Sequence, residues 1–326
     1  MNPSVALPVV IAAAAVVVVP AAIARRQWAL AVGFCATGAG VALQAPPLYA
    51  LIDPLLGGRN LTNLIYHLLT VTGIGAFMLL VLAASPSRDR RGGGRRAVVV
   101  ATGVACVLQV GLFVAGSTAA GWGGLDAHLT EAIASPLFVG YASVLWVALA
   151  GLACAAIVTQ HAQTRGRPWS IARIGTTLVV IGCVVALVWC ANAITRAIAA
   201  VSTGAGGAPD RVGPALALAG GAAVFLGLAV TNLPHVIARI RAAALDLATR
   251  ALWRRAVASA PEVVLPSTTR ASLGGRATLY RRWVEIEDAV RLGRLDLTDQ
   301  ERERIATMQR MFAPARPAEL HVGQTR

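Results

Sequence analysis

There is no lysine among the 326 residues, and all 29 basic side chains are arginine. Charge of either sign is scarce: 13% of the residues are charged, where a soluble domain carries about 25%. A soluble chain of this length would need a polar shell around its core, and this one lacks the material for it. Cysteine pairs are also missing. Cys35, Cys106, Cys154, Cys183 and Cys190 all fall in apolar runs with no C-x-x-C spacing, so they read as small buried hydrophobes rather than a disulfide framework. No Asp or Glu stands deep in a long apolar run, which counts against a proton-driven pump, because proton relays use intramembrane carboxylates. Catalytic signatures are lacking too: no H-E-x-x-H, no G-x-S-x-G, no G-x-x-x-x-G-K and no paired carboxylates. No enzymatic activity, cofactor or metal is therefore expected. Asp126, His128 and Glu131 share one loop but have no fixed scaffold to make them a metal site.

What is present is apolar sequence, 56% of the chain. Seven stretches have the ~20 residues needed to cross ~30 Å of hydrocarbon as a helix. They cover 5–23, 28–52, 61–84, 97–115, 136–159, 171–196 and 214–231. The connections alternate in charge. One set holds Arg25, Arg26, Arg88, Arg90, Arg91, Arg95, Arg96, Arg165, Arg167 and Arg173; the other holds only Arg59, Arg196 and Arg211. That ten-to-three bias puts the first set in the cytoplasm, the N-terminus outside and the C-terminus inside. The first run has no positive charge before it and Arg25–Arg26 after it, which is the pattern of an uncleaved helix rather than a signal peptide. The expected location is the plasma membrane, with the bilayer as partner. The net charge of +14 sits in loops and tail, where topology puts it, and is not a nucleic-acid footprint. Arginine without lysine, together with much Ala, Val and Gly, suits a GC-rich bacterial genome.

From residue 235 the composition changes. Between Arg239 and Arg326 there are sixteen arginines and ten acids. Residues 235–258 carry apolar side chains at helical spacing (Ile237, Ile240, Leu245, Leu247, Leu252), and either continue the seventh helix or lie on the membrane surface. A second helix is expected over 277–292. Thr298 with Glu301 three residues on forms a capping box opening a third over 299–311. The organisation expected is an all-α protein: a seven-helix membrane domain over 1–234, a small helical cytoplasmic domain over 235–312 and a disordered tail over 313–326.

The strings ALWRRAVASAPEVVL at 251–265 and TLYRRWVEIEDAVRLGRLDL at 278–297 resemble the C-terminal domain of unknown function in a family of actinobacterial seven-helix membrane proteins labelled as transporters. The likeness rests on Leu252–Trp253, Pro261–Glu262, Tyr280–Arg281–Arg282, Glu285–Ile286 and Asp288, with GRPW at 166–169 and the run holding Asp53, Asn60–Leu61 and His67 upstream. It departs at Ala289, where the family pattern has glycine. The resemblance implies a membrane protein of transporter label and supplies no mechanism.

Two groups of residues are candidate sites. At the outer ends of the second, third and sixth spans stand Asp53, Arg59, Asn60, Asn63, His67, Asn192 and Arg196. Asn60, Asn63 and His67 are spaced i, i+3, i+7 and so share a helix face, and Asn192 and Arg196 are i, i+4 neighbours. Pro46–Pro47 must break or kink the second span. These residues form either an outward-facing polar vestibule for a ligand or ion, or a set of inter-helix hydrogen bonds and caps; His67 is either a proton-linked switch or a helix contact. Small residues inside the spans (Gly33, Gly75, Gly151, Gly182, Gly220, Gly221) are expected to let helices approach closely. The second group is Trp253, Tyr280, Arg281, Arg282, Trp283, Glu285 and Asp288, which are a docking surface for a cytoplasmic protein, an anchor on anionic lipid or the interior of a folded unit. Two functions stay open: a transporter or permease of undefined substrate, ranked slightly ahead, and a seven-helix sensor or scaffold that signals through its inner domain.

Overall fold

The structure is a computed structural model, and it describes residues 3–84, 91–119, 135–164, 169–203, 212–264 and 275–312. The loop holding Asp126, His128 and Glu131, the loop arginines Arg88, Arg90, Arg165, Arg167 and Arg211, and the tail expected to be disordered lie outside these residues. Among the described residues every regular element is helical: α1 Pro3–Ala24, α2 Trp28–Leu43, α3 Pro46–Leu55, α4 Leu61–Ala84, α5 Arg91–Ala119, α6 Pro136–Thr164, α7 Ile171–Thr203, α8 Gly213–Ser259, α9 Gly275–Arg291 and α10 Asp299–Phe312, with a 3-10 turn at Pro261–Val263. Among the described residues six helices are long and apolar enough to cross a membrane, and the bent pair α2 and α3 makes a seventh if it is counted as one span. The protein is an integral membrane protein.

The expected second span, 28–52, is not one helix. It stops at Leu43 and restarts at Pro46, turned by 88°. Proline pushes the residue before it out of the helical region, and Ala45 is extended at φ −66° and ψ 125°. Pro46 and Pro47 then occupy the first turn of α3, where a missing N–H costs nothing. The prolines start a new helix instead of kinking the old one. α2 alone, with 16 residues, is about 24 Å long.

The chain divides into two compact units, Met1–Pro234 and His235–Arg326. In the first, α2 and α4 run antiparallel and meet through small residues. A Cβ on Gly33 would sit 2.9 Å from the Phe77 ring, one on Gly40 would sit 3.2 Å from the Tyr66 carbonyl oxygen, and Gly73 lies against Thr37. α7 and α8 do the same. Gly175 faces Gly227 and Gly182 faces Gly220, two glycine pairs one heptad apart on each helix, with an added Cβ on Gly175 or Gly182 2.7 Å from the facing carbonyl oxygen. In a bilayer, where apolar burial does not drive helices together, this backbone approach supplies the packing. Gly33, Gly75, Gly182, Gly220 and Gly221 all act as expected; Gly151 does not, for nothing lies within 4 Å of where its Cβ would be.

Around these contacts the interior is apolar. Ile11, Val18, Phe34 and Phe225 form one cluster, with Phe34 edge-on to Phe77 and Phe225 at 5.9 and 5.0 Å. Val71, Ile74 and Leu145 form another, and Trp146, Cys190 and Ala197 join α6 to α7. At the turn after α1, Arg25 Nε donates to the Ala21 carbonyl at 3.1 Å, and its guanidinium also reaches the Asn232 side chain on α8.

The second unit packs the latter part of α8 with α9 and α10 around Leu252, Ala256, Leu279, Ile286, Ala289 and Met308. Gly293, at φ +65°, ends α9. The Arg294 amide donates to the Ala289 carbonyl and the Gly293 amide to that of Val290, both at 3.0 Å, a Schellman motif. The capping box forms as expected: the Thr298 amide donates to Glu301 Oε2 at 3.0 Å, and the Glu301 amide donates to Thr298 Oγ1 at 3.3 Å.

Candidate functional site

Polar side chains buried in the first unit gather where the N-terminal ends of α4 and α6 meet α5. Asn63 and His67 stand one turn apart on α4, both more than nine-tenths buried. Tyr141 of α6, fully buried, lays its ring 4.3 Å from the His67 imidazole and donates its hydroxyl to Asn63 Oδ1 at 3.0 Å. Gln109 of α5, also fully buried, donates its amide to the Tyr141 backbone carbonyl at 3.0 Å. Phe113 and Tyr66 close the sides, with ring centroids 5.9 Å from Tyr141 and 4.9 Å from His67. His67 lies about 9 Å along α4 from its first residue. Two polar atoms of the cluster, His67 Nδ1 and Gln109 Oε1, are buried without a hydrogen-bond partner. A buried polar atom left so is costly, and two in one cluster set it apart from the apolar packing around it.

No family model, curated protein or solved structure matches this chain.

The residues expected in the vestibule separate into three groups. Asn63 and His67 belong to the cluster, and the i, i+4 relation seen in the sequence is what brings them together. Asn60 does not extend their face, because it precedes α4 in a left-handed conformation, φ +62°. Asp53 is a cap rather than a ligand group: its carboxylate accepts from the amides of Asn60 and Thr62 at 3.2 and 3.1 Å, which satisfies orphan donors at the start of α4. Tyr49, buried on α3, donates its hydroxyl to Asn60 Oδ1. Arg59 is exposed. Asn192 and Arg196 form the third group. They lie half-buried on α7, which meets α6 through Trp146, Cys190, Ala142 and Ala197 and supplies none of the cluster's side chains. Arg196 is also not at a helix end, since α7 continues to Thr203, about 10 Å further.

Tyr141 and Gln109 escape a reading of the sequence. A lone glutamine in an otherwise apolar span is a usable signal; a tyrosine near a span end is not, because tyrosine is common at membrane interfaces.

Most of the second candidate group turns inward. Glu285 is 1% exposed and Arg281 8%; they pair at 2.8 Å, while the Trp253 indole N–H donates to the other Glu285 oxygen at 2.6 Å. Arg282 pairs with Asp246 and lies 5.0 Å over the Trp253 ring. Trp253, Arg281, Arg282 and Glu285 therefore pair with one another and with Asp246 inside the unit, the arrangement of the third alternative, the interior of a folded unit. Tyr280 is exposed, with its ring 5.4 Å from that of half-buried Trp283. Asp288 is half-buried, and its backbone carbonyl accepts from the Leu292 amide at 3.0 Å.

Proposed function

We propose that the protein is a seven-span membrane sensor with its N-terminus outside and its second unit in the cytoplasm, and that it takes a small uncharged hydrogen-bonding ligand at the Asn63–His67–Gln109–Tyr141 cluster. One observation carries this reading: the polar cluster is confined to one end of the bundle. Beyond it along α4 the packed side chains are mainly apolar: Val71, Ile74 and Leu145, then the Phe34–Phe77–Phe225 ring contacts. The ligand is uncharged in this reading because the cluster's own side chains are neutral hydrogen-bonding groups, Asp53 is engaged as a cap and Arg59 is exposed. The second unit supports an output role, since it has its own core and a buried ion pair that membrane insertion does not require. The permease reading draws on the broken α2–α3 helix and on the resemblance to the actinobacterial family labelled as transporters; discontinuous helices are a transporter feature.

Two measurements on the full-length chain separate the readings. In nanodiscs, His67→Ala or Gln109→Ala is expected to change amide hydrogen exchange in α9 and α10 if the cluster is coupled to the second unit, and unchanged exchange in both variants sinks the sensor reading. In liposomes, light-scattering permeability to glycerol and urea is expected to equal that of protein-free vesicles; a protein-dependent flux lost in Gln109→Ala replaces the sensor with a permease.

A further inference from the structure

The polarity of α3 is inverted relative to a helix on a water-soluble surface. Its two hydrogen-bonding side chains, Tyr49 and Asp53, are i, i+4 neighbours and turn toward the protein, where they reach Asn60 and the start of α4. The opposite face is apolar throughout: Pro47 and Pro54 are exposed, and Leu51 and Leu55 are 63% and 79% exposed. No charge or hydroxyl lies among them. A helix in water would turn the other way round, because exposed leucine is unfavourable and a carboxylate is easily solvated. The direction of α3 adds a second, independent argument. α2 packs antiparallel along α4, which is long and apolar enough to cross a membrane, and α3 leaves α2 at 88°, so α3 runs across the direction of the spans, along the bilayer plane. Ten residues extend about 15 Å, too short to cross. Helices that lie in the interface with an apolar face bury that face in the headgroup and acyl boundary.

We propose that α3 is an interfacial helix whose Pro47, Leu51, Pro54 and Leu55 face binds lipid acyl chains. Lipid is the occupant the geometry favours over a second protein copy, because the exposed apolar face of α3 matches in character the outward faces of the spanning helices, whose valines, such as Val107 and Val147, are also about 70% exposed, and α3 is joined directly to α2, whose Trp28 and Val32 are exposed too. The element that holds Asn60 in place through Tyr49, and caps α4 through Asp53, is thereby set in the membrane surface. The inference does not depend on the sensor reading.

The test uses the full-length chain with its native cysteines, reconstituted in phosphatidylcholine–phosphatidylglycerol nanodiscs. A benzophenone amino acid replaces Leu51, Leu55 or, as an exposed control on the same segment, Arg59; after irradiation the protein is weighed intact. Phospholipid adducts at positions 51 and 55 at least fivefold more abundant than at 59 are expected. Equal adduct yields at all three positions, or no adduct at 51 and 55, overturn the proposal. Crosslinks from 51 or 55 to a second copy overturn it in favour of a dimer contact. Because both leucines are exposed, neither replacement disturbs the core, and circular dichroism matching the parent chain verifies this before irradiation.

Discussion

Replacing Glu285 by alanine removes the centre of a three-membered network. Glu285 holds the Arg281 guanidinium at 2.8 Å and the Trp253 indole N–H at 2.6 Å, with Glu285 1% and Arg281 8% exposed. Its loss leaves the buried Arg281 charge without its carboxylate and the part-buried Trp253 N–H without this acceptor. Removing one member of a buried ion pair costs about 3–5 kcal/mol, and a small unit holds only about 0.1 kcal/mol per residue in total. Glu285→Ala is therefore expected to take about half of the second unit's stability. The double variant Arg281→Leu/Glu285→Leu removes both charges and fills the space, leaving only the Trp253 N–H unsatisfied at about 1–3 kcal/mol. The double variant should thus be the more stable of the two. Amide hydrogen exchange of α9 in the full-length chain reads the opening free energy directly. The reasoning is refuted if α9 protection in Glu285→Ala stays within about 0.5 kcal/mol of the parent chain, or if the double variant is the less stable.

Thr298→Ala removes one half of the capping box and should cost the second unit about 1 kcal/mol, read as faster exchange in α10. The Thr298 backbone amide, then the Thr298 hydroxyl and Arg255, hold the Glu301 carboxyl below the usual glutamate range. A depressed carboxyl stabilises the fold above its unfolded pKa and loses that contribution as pH falls through its folded value, so α10 protection should be full at neutral pH and decline on acidification, and in Glu301→Gln this step should vanish. In the bundle, Gly182→Ala puts a Cβ 2.7 Å from the Gly220 carbonyl oxygen and should cost about 1–3 kcal/mol of thermal stability in detergent, whereas Gly151→Ala, with open space around it, should be neutral. Reporter fusions after Arg26 and Arg250 are expected to read cytoplasmic and one after Arg59 external; a cytoplasmic signal at Arg59 would reverse the orientation drawn from the arginine counts.

The helical membrane class follows from composition, because hydrocarbon forces every backbone group into internal hydrogen bonds and a run of about 20 apolar residues has no other solution. Local signals were equally readable. The Thr298–Glu301 capping box and the helix it opens depend on neighbours three residues apart, and so did the shared face of Asn63 and His67. What the linear order could not carry was which helices meet. Tyr141 stands 78 residues from Asn63 and Gln109 32 from Tyr141, so the polar cluster exists only once α4, α5 and α6 are packed. Asn192 and Arg196, grouped with it on the basis of depth, stand on α7, a helix that supplies none of the four cluster residues. Burial also reassigned the second group: Trp253, Arg281 and Glu285 look like surface residues because they are polar, and a polar side chain that finds its partners inside is indistinguishable in sequence from one that does not. The same holds for Pro46–Pro47, which signal a break in any chain, while the 88° turn into α3, and the contacts of Tyr49 and Asp53 with Asn60 and Thr62 that accompany it, are set by the packed structure.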